Sequence, residues 1–277
     1  MSWRARSDDP NSRAALAARQ AALDAAAAAP ISNRIRRITE LCSGRHVLDI
    51  GCVDHHVGTH EQATFLHRRL AESAGSVVGV DIEPAGAAAM REAGFDVVVH
   101  DVCTGPGPLA AYGAFDVVVA GEVVEHLAAP QALFEFAAAV LAPGGALVLT
   151  TPNPYAPHRV RAGQLGIAWE NADHVFYAFP SGIVELAERT GLRLDEHRTV
   201  LVRPMRKELW RALKTWASLA ADRLRGRSRA AGRDEELEHA LNRYANPFEL
   251  AFALLGRSSR FLGETSLYVL RKPVDSP

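Results

Sequence analysis

Five short runs rich in β-branched residues alternate with helical segments in the middle of the chain, and this alternation limits the fold more than any other feature. Each run is mostly apolar, as expected for a strand that is buried on both faces. The runs are His46–Ile50, Val77–Asp81, Asp96–His100, Asp116–Ala120 and Ala146–Thr150. Their alternation with helices predicts an α/β fold with a doubly wound, mostly parallel sheet. Leu192–Val202 and Thr265–Arg271 are predicted as two further strands.

Length and composition exclude several other classes of protein. A chain of 277 residues, 48% of them hydrophobic, is long enough for one large core or for one domain with an appendage. Its formal net charge of −1 provides no whole-chain attraction to nucleic acid or membrane. The three cysteines form no CxxC pair, which argues against a disulfide framework and favours a cytoplasmic protein. The sequence shows neither a signal-peptide core nor an apolar run of membrane-spanning length, so we expect no transmembrane segment.

Two segments fall outside the alternating pattern. Residues 1–37 are rich in Ala and Arg and predict a helical extension that lies across the mouth of the core or frays in solution. Residues 203–263 predict a helical insertion, whose first half, Arg203–Arg233, has ten basic and two acidic residues. The core is then 38–202, and 264–277 hold the last strand and a tail. We interpret the insertion as a lid, a homodimer contact or a basic surface for RNA or anionic lipid, with a merely solvated helix face as the alternative.

Acidic residues mark the ends of the first three predicted strands. Asp49 stands near the end of the first strand, two positions before Gly51; Asp81 ends the second, and Asp101 follows the third. A glycine at such a place lets a ligand approach the backbone closely, and a carboxylate can accept hydrogen bonds from ribose hydroxyls. Since the carboxyl ends of parallel strands form the ligand crevice of open α/β sheets, these residues predict a nucleotide-like ligand there.

The segment Phe115–Leu127, FDVVVAGEVVEHL, places two carboxylates and an imidazole directly after the fourth strand. Glu122, Glu125 and His126 are spaced at i, i+3 and i+4. If a helix begins at the end of the strand, the three side chains share one helical face and point together into the crevice. This segment is therefore the predicted site of chemistry.

Four motifs together resemble the class I S-adenosylmethionine-dependent methyltransferases. They are DIG at Asp49–Gly51, VDIEP at Val80–Pro84, the FDVVVAGEVVEHL segment and LAPGGALVLTTPNP at Leu141–Pro154. The resemblance implies a Rossmann-like sheet of seven strands whose last strand is antiparallel. It also implies the cofactor contacts: Asp49 and Gly51 at the methionine part, Asp81 at the ribose, Asp101 with Val102 at the adenine, and Ile82 and Gly121 as further contacts.

One position departs from the family pattern. Val53 stands where the family usually has a second glycine, in the loop from Cys52 to Gly58. The departure keeps open a different kind of protein, a non-catalytic binding module with the same fold. A nicotinamide enzyme is disfavoured because the motif G-x-G-x-x-G is absent from the sequence.

The ExxEH pattern points to particular members of this family. It resembles the ubiquinone-type O-methyltransferases and the small-RNA terminal 2′-O-methyltransferases, whose glutamates and histidine hold a divalent metal. The RNA enzymes add a downstream histidine, for which His174 is the matching candidate. On this resemblance Glu122, Glu125, His126 and His174 form a mixed oxygen and nitrogen set that suits magnesium or manganese. In the alternatives, His126 serves as a general base without metal, or the pair Glu125–His126 only solvates a helix start.

These observations predict an S-adenosylmethionine-dependent O-methyltransferase. Its acceptor is a hydroxyl of a small molecule, such as a sugar, a phenol or a natural product, and His126 and Glu122 are its predicted catalytic residues. RNA 3′-terminal 2′-O-methylation is the enzymatic alternative, which the basic insertion favours. His55, His56 and His60 in the first loop are further candidates for acceptor contact, although exposed histidines on loops are mostly solvated.

Overall fold

The computed structural model describes residues 2–54, 62, 64–156, 159, 170–200 and 261–274. Within these ranges seven strands form one sheet: β1 His46–Ile50, β2 Ser76–Asp81, β3 Val97–Val99, β4 Phe115–Gly121, β5 Leu141–Pro152, β6 Arg193–Val200 and β7 Thr265–Arg271. The described part of the chain also contains six α-helices: α1 Arg13–Ala25, α2 Arg34–Cys42, α3 Leu66–Ser73, α4 Pro84–Glu92, α5 Pro130–Val140 and α6 Pro180–Arg189. No helix within these ranges combines the length and apolar character needed to cross a membrane.

The strand order is β3-β2-β1-β4-β5-β7-β6. Strands β1 to β5 pair in parallel, and β7 lies antiparallel between β5 and β6. The predicted doubly wound, mostly parallel sheet with an antiparallel last strand is therefore confirmed. From β1 the chain continues to β2 and β3 on one side of the sheet, and from β4 it continues to β5 on the other side. A crevice therefore opens above the carboxyl ends of β1 and β4, where ligands bind in this class of fold.

The apolar strand residues are divided between two cores, one on each side of the sheet. Leu48 and Val118 pack with Phe134 of α5 and Ile183 of α6, whereas Val47 packs on the opposite side with helices α2 and α3. A strand whose successive side chains enter different cores must be apolar at nearly every position. This explains why the strands are so conspicuous in the sequence.

The amino-terminal residues lie along an edge of the sheet. Ala27 and Ile31 form isolated bridges with His197 and Val200 of the edge strand β6, and α1 contacts α6. Within the described residues the segment contains α1 and the start of α2, and α1 packs on this edge against β6 and α6. Helix α2 crosses the predicted boundary between residues 37 and 38 and buries Ile38 completely.

One predicted helix is wrong, and the predicted helical insertion lies almost wholly outside the described residues. The helix expected directly after β4 is wrong: only a short 3-10 helix, Val124–His126, is present before α5 begins at Pro130. The cause is Glu122, which has a φ of 62°, a left-handed conformation that cannot belong to an α-helix. The predicted insertion 203–263 lies outside the described residues except for its last three, as do His55, His56 and His60.

Candidate active site

A cleft of about 450 Å³ opens at the carboxyl ends of β1 and β4. It is closed on one side by the start of α2 and on another by the segment around His174. Seven of the residues predicted from the sequence line it: Asp49, Gly51, Gly121, Glu122, Glu125, His126 and His174. Residues that lie at or after the ends of β1, β4 and β5 therefore meet in one place, as the topology predicts.

Three of the four predicted metal ligands converge. One side-chain atom each from Glu125, His126 and His174 lie within 4.8 Å of one another. The rings of His126 and His174 meet edge to face, with centroids 4.7 Å apart. Glu122 lines the same cleft but does not belong to this three-ligand group, which we name by its members Glu125, His126 and His174.

The Glu125 carboxylate is fully buried. Among the described residues, neither of its oxygens has a partner at hydrogen-bonding distance and angle. Burial raises the pKa of this carboxyl to about 7, and the negative charge of Glu122 adds to the rise. A buried acidic group is costly unless a cation or several donors satisfy it, so the environment of Glu125 fits a bound cation.

Both imidazoles are held through Nδ1. His126 Nδ1 lies 2.9 Å from Asp173 Oδ2, and His174 Nδ1 lies 3.1 Å from the hydroxyl oxygen of Tyr177. The Tyr177 hydroxyl donates its hydrogen to Glu170, so its oxygen accepts from His174 Nδ1. In the neutral form of each ring these contacts favour a proton on Nδ1, which leaves on Nε2 the lone pair that a metal or an acidic proton requires.

The surroundings of His174 favour its neutral form. Burial lowers the pKa of this imidazole, and the neighbouring His126 and Arg159 side chains lower it further. A neutral imidazole is the form that ligates metals or accepts a proton. The outer partners Asp173, Tyr177 and Glu170 are absent from the predicted site, although their closeness to His174 in the sequence was the available signal.

Glu122 is held by partners on other elements. Its Oε1 atom lies 2.9 Å from Arg34 Nη1 and accepts a hydrogen bond of 3.1 Å from Thr265 Oγ1. Its backbone N–H donates to Thr150 O at 2.9 Å. The side chain thus lies beside the three-ligand group while its charge is paired with a cation from α2.

Asp49 forms a buried pair with a residue that the sequence did not indicate. Its Oδ2 atom lies 2.9 Å from His67 Nδ1, and both side chains are almost wholly inaccessible to solvent. Gly51, two residues later, has a φ of 69°, and a Cβ there would lie 2.6 Å from Val123 Cγ2. Only glycine combines this backbone conformation with this close approach.

The Val53 position is accommodated by the neighbouring strand and helix. Val53 N–H donates to Asp81 Oδ2 at 2.9 Å, and Glu83 N–H donates to Asp81 Oδ1 at 3.0 Å. The Val53 side chain lies against Gly86 of α4, where a Cβ would overlap it. The first residues of the loop, up to Asp54, are therefore docked onto the end of β2.

The four remaining cofactor candidates are at the ends of β2 and β3 but do not line the cleft. Asp81 carries the two backbone hydrogen bonds just described. Ile82 is 71% exposed, which is high for an apolar side chain. Asp101 Oδ1 accepts from Cys103 N–H at 2.9 Å and begins a 3-10 helix, while the side chain of Val102 is buried in the core.

Comparisons with known proteins bear on the family and the fold of the chain. Residues 19–197 match a family model described as a methyltransferase domain. The mouse mitochondrial ubiquinone biosynthesis O-methyltransferase is 29% identical over 212 residues, which are 72% of this chain and 54% of the mouse protein. The chain thus spans about half the length of that relative. The ubiquinone biosynthesis O-methyltransferase of Paraburkholderia xenovorans is 25% identical over 60% of this chain and 72% of its own.

A solved structure supports the same fold. A SAM-dependent methyltransferase from Archaeoglobus fulgidus superposes with a TM-score of 0.52 at 17% identity, covering 86% of this chain and 91% of that one. At this identity the likeness bears on the fold alone.

Proposed function

Since the chain belongs to the methyltransferase domain family and has the fold of the class I S-adenosylmethionine-dependent enzymes, we propose that it methylates a hydroxyl group of a small molecule with the help of a divalent cation. The observation that carries the proposal is the meeting of Glu125, His126 and His174 in the cleft that Asp49 and Gly51 also line. O-methylation is favoured by the relatives, which are named for it.

The residues of the cleft fit the needs of this reaction. S-adenosylmethionine supplies a methyl group on a sulfonium. A free alcohol is a poor nucleophile near neutral pH, so its pKa must be lowered or its proton removed while its oxygen is aligned with the methyl carbon. Glu125, His126 and His174 would hold a magnesium or manganese ion, which would supply the Lewis acidity that this step needs.

The cofactor would lie along the carboxyl ends of β1, β2 and β3. Asp49 and Gly51 line the cleft and would contact the methionine part. The Asp81 carboxylate stands at the end of β2 for the ribose hydroxyls, and the exposed face of Ile82 offers an apolar surface for the adenine. Asp101 and Val102 follow the end of the next strand, which keeps the predicted order along the sheet.

A reaction without metal is the mechanistic alternative. The pair Asp173–His126 has the arrangement of a general base with an orienting carboxylate, because the Nδ1 contact directs Nε2 away from Asp173. In that case His126 accepts the hydroxyl proton directly. The two mechanisms differ in their response to chelation.

We therefore expect Glu125→Gln and His174→Gln to lower kcat at least about a hundredfold, the size typical of a lost acid–base or electrostatic contribution. S-adenosylhomocysteine should still bind both variants in calorimetry. Methyl transfer should be measured on a panel of sugars, phenols and an RNA 3′ end, with magnesium or manganese and with a chelator. Glu135→Gln in α5 is the matched control, since Glu135 is exposed and, among the described residues, its hydrogen-bond partner is Gln131 on the same helix.

Full activity in the presence of chelator and in both variants would refute the metal. Loss of activity only in a His126 variant would favour the general base. Failure to bind S-adenosylhomocysteine would favour the binding module, and transfer to the RNA end alone would favour the RNA enzyme.

A further inference from the structure

Arg34 places a positive charge in the cleft from outside the parallel core. It is the first residue of α2, whose start is fixed by Asn33: the Asn33 side chain accepts from Arg36 N–H at 2.9 Å. Arg34 Nη1 lies 2.9 Å from Glu122 Oε1 and 3.4 Å from Thr150 Oγ1. With 26% of its side chain exposed, Arg34 faces the cleft and is not buried beneath it.

These contacts determine where the Glu122 carboxylate points. Arg34 and Thr265 both engage Oε1, and among the described residues no hydrogen bond or ion pair engages Oε2. The backbone of Glu122 is fixed separately by its hydrogen bond to Thr150 O. Redirecting the carboxylate therefore requires only rotation of the side chain.

Glu122 is close to the three-ligand group without being part of it. Its negative charge acts on both Glu125 and His174 and opposes the loss of a proton from each. The three-ligand group itself contains one carboxylate and two imidazoles, fewer oxygen ligands than magnesium or manganese usually takes. A second carboxylate is thus present at the site but turned towards a competing cation.

We propose that Arg34 is a positioning residue that holds Glu122 away from Glu125, His126 and His174, so that divalent cations bind in competition with the Arg34–Glu122 ion pair. The inference rests on the proposed metal-assisted function. When the ion pair opens, Glu122 rotates and supplies a fourth ligand. Because both partners are partly exposed to solvent, the pair is weak enough for a divalent ion to displace it.

The test is the affinity of the metal-stripped full-length protein for Mn²⁺, measured by calorimetry and by the loss of the free Mn²⁺ paramagnetic resonance signal. Arg34→Met keeps the apolar stem and removes the charge, and we expect it to tighten Mn²⁺ binding about tenfold, or about 1.4 kcal/mol. Arg34→Lys should bind Mn²⁺ nearly as the parent does. Arg36→Met is the matched control, because Arg36 is on the same helix and pairs with Glu40 outside the cleft.

A second pair of variants separates competition from simple repulsion of the cation by Arg34. In a Glu122→Gln background, Arg34→Met should lose most of its effect, since no carboxylate remains to be released. An undiminished gain in that background, or equal Mn²⁺ affinities of the parent and Arg34→Met, would overturn the inference. Equal but measurable affinities would leave the metal-assisted function standing, whereas absence of Mn²⁺ binding in every variant would refute both.

Discussion

Residues outside the predicted ligand set determine which ring nitrogen of His126 and His174 faces the cleft as a possible metal ligand. Tyr177 gives its hydrogen to Glu170 and accepts from His174 Nδ1, which leaves the His174 lone pair on Nε2. The Arg159 guanidinium lies 4.8 Å above the Tyr177 ring and helps to hold it. Such outer contacts fix both the tautomer and the ring orientation of a ligating histidine.

Tyr177→Phe should therefore weaken Mn²⁺ binding about tenfold, within the range typical for the loss of an outer partner of a ligand. The physical reason is that His174 becomes free to rotate and to place its proton on either nitrogen. Calorimetric titration of the metal-stripped protein is the measurement. Tyr112→Phe loses a comparable hydroxyl-to-carboxylate contact, with Asp96, away from the cleft and should bind Mn²⁺ as the parent does. Equal affinities for all three proteins would mean that Tyr177 has no part in the site.

The sequence predicted which residues meet in the cleft better than it predicted their conformations. Glu125 and His126 follow a buried strand so closely that the topology alone brings them to the crevice. Glu122 shows the limit, because its spacing predicted a helical face while the chain adopts a φ of 62° at this residue. The partners His67 and Arg34 could not be predicted, since neither belongs to a strand-end pattern and each contact depends on how a separate helix packs.

At the level of secondary-structure elements, the loop after β1 and helix α4 have complementary shapes: a large side chain on the loop packs against a glycine on the helix. Val53 stands where the family usually has a second glycine, and its side chain occupies space left open by Gly86, the third residue of α4. The docked loop also delivers the Val53 N–H to Asp81. The departure from the family pattern is therefore matched by a glycine on another element, a compensation that single-strand patterns do not reveal.

Gly86→Ala should destabilise the protein by about 1 to 3 kcal/mol, as overpacking does, and weaken S-adenosylhomocysteine binding through the displaced Val53 and Asp81. Gly182→Ala is a close control: Gly182 is also the third residue of a helix that begins with proline, and a Cβ there meets nothing within 4 Å. It should be neutral or gain about 0.5 to 1 kcal/mol from better helix propensity. Chemical denaturation and calorimetry would measure both effects. The explanation fails if the two variants behave alike.

At the scale of the whole molecule, the amino-terminal residues cover an edge of the sheet. Ala28 N–H donates to His197 O at 3.0 Å, and Ile31 N–H donates to Thr199 O at 3.0 Å. These bonds occupy backbone groups of the edge strand β6 that would otherwise be open to pairing with another chain. Glu185 of α6 accepts a hydrogen bond from Trp3 and forms ion pairs with Arg4 and Arg19 of the amino-terminal segment. It also pairs with Arg189 of its own helix. The extension is thereby anchored at both of its ends.

The anchoring at Glu185 predicts a specific dependence of stability on pH. Partial burial alone would raise the pKa of Glu185, but hydrogen bonds from Arg189, Arg4 and Trp3 lower it from 4.5 to about 2. Because the pKa is lower in the folded state, the stabilisation is complete above about pH 4.5 and is lost as the pH falls towards 2. After allowance for screening of these partly exposed groups, we expect it to be on the order of 1 to 2 kcal/mol.

Glu185→Gln should accordingly lower the free energy of unfolding at pH 7. The difference in this free energy between parent and variant should shrink as the pH falls below about 4.5, because the carboxyl of the parent then becomes neutral as well. Urea denaturation of both proteins at a series of pH values is the measurement. Glu72→Gln, which removes the exposed partner of Arg69, should change stability by no more than about 0.5 kcal/mol at any pH. A difference between parent and Glu185→Gln that stayed constant down to pH 3 would show that these residues contribute by packing and not by charge, since packing energy does not depend on the protonation of Glu185.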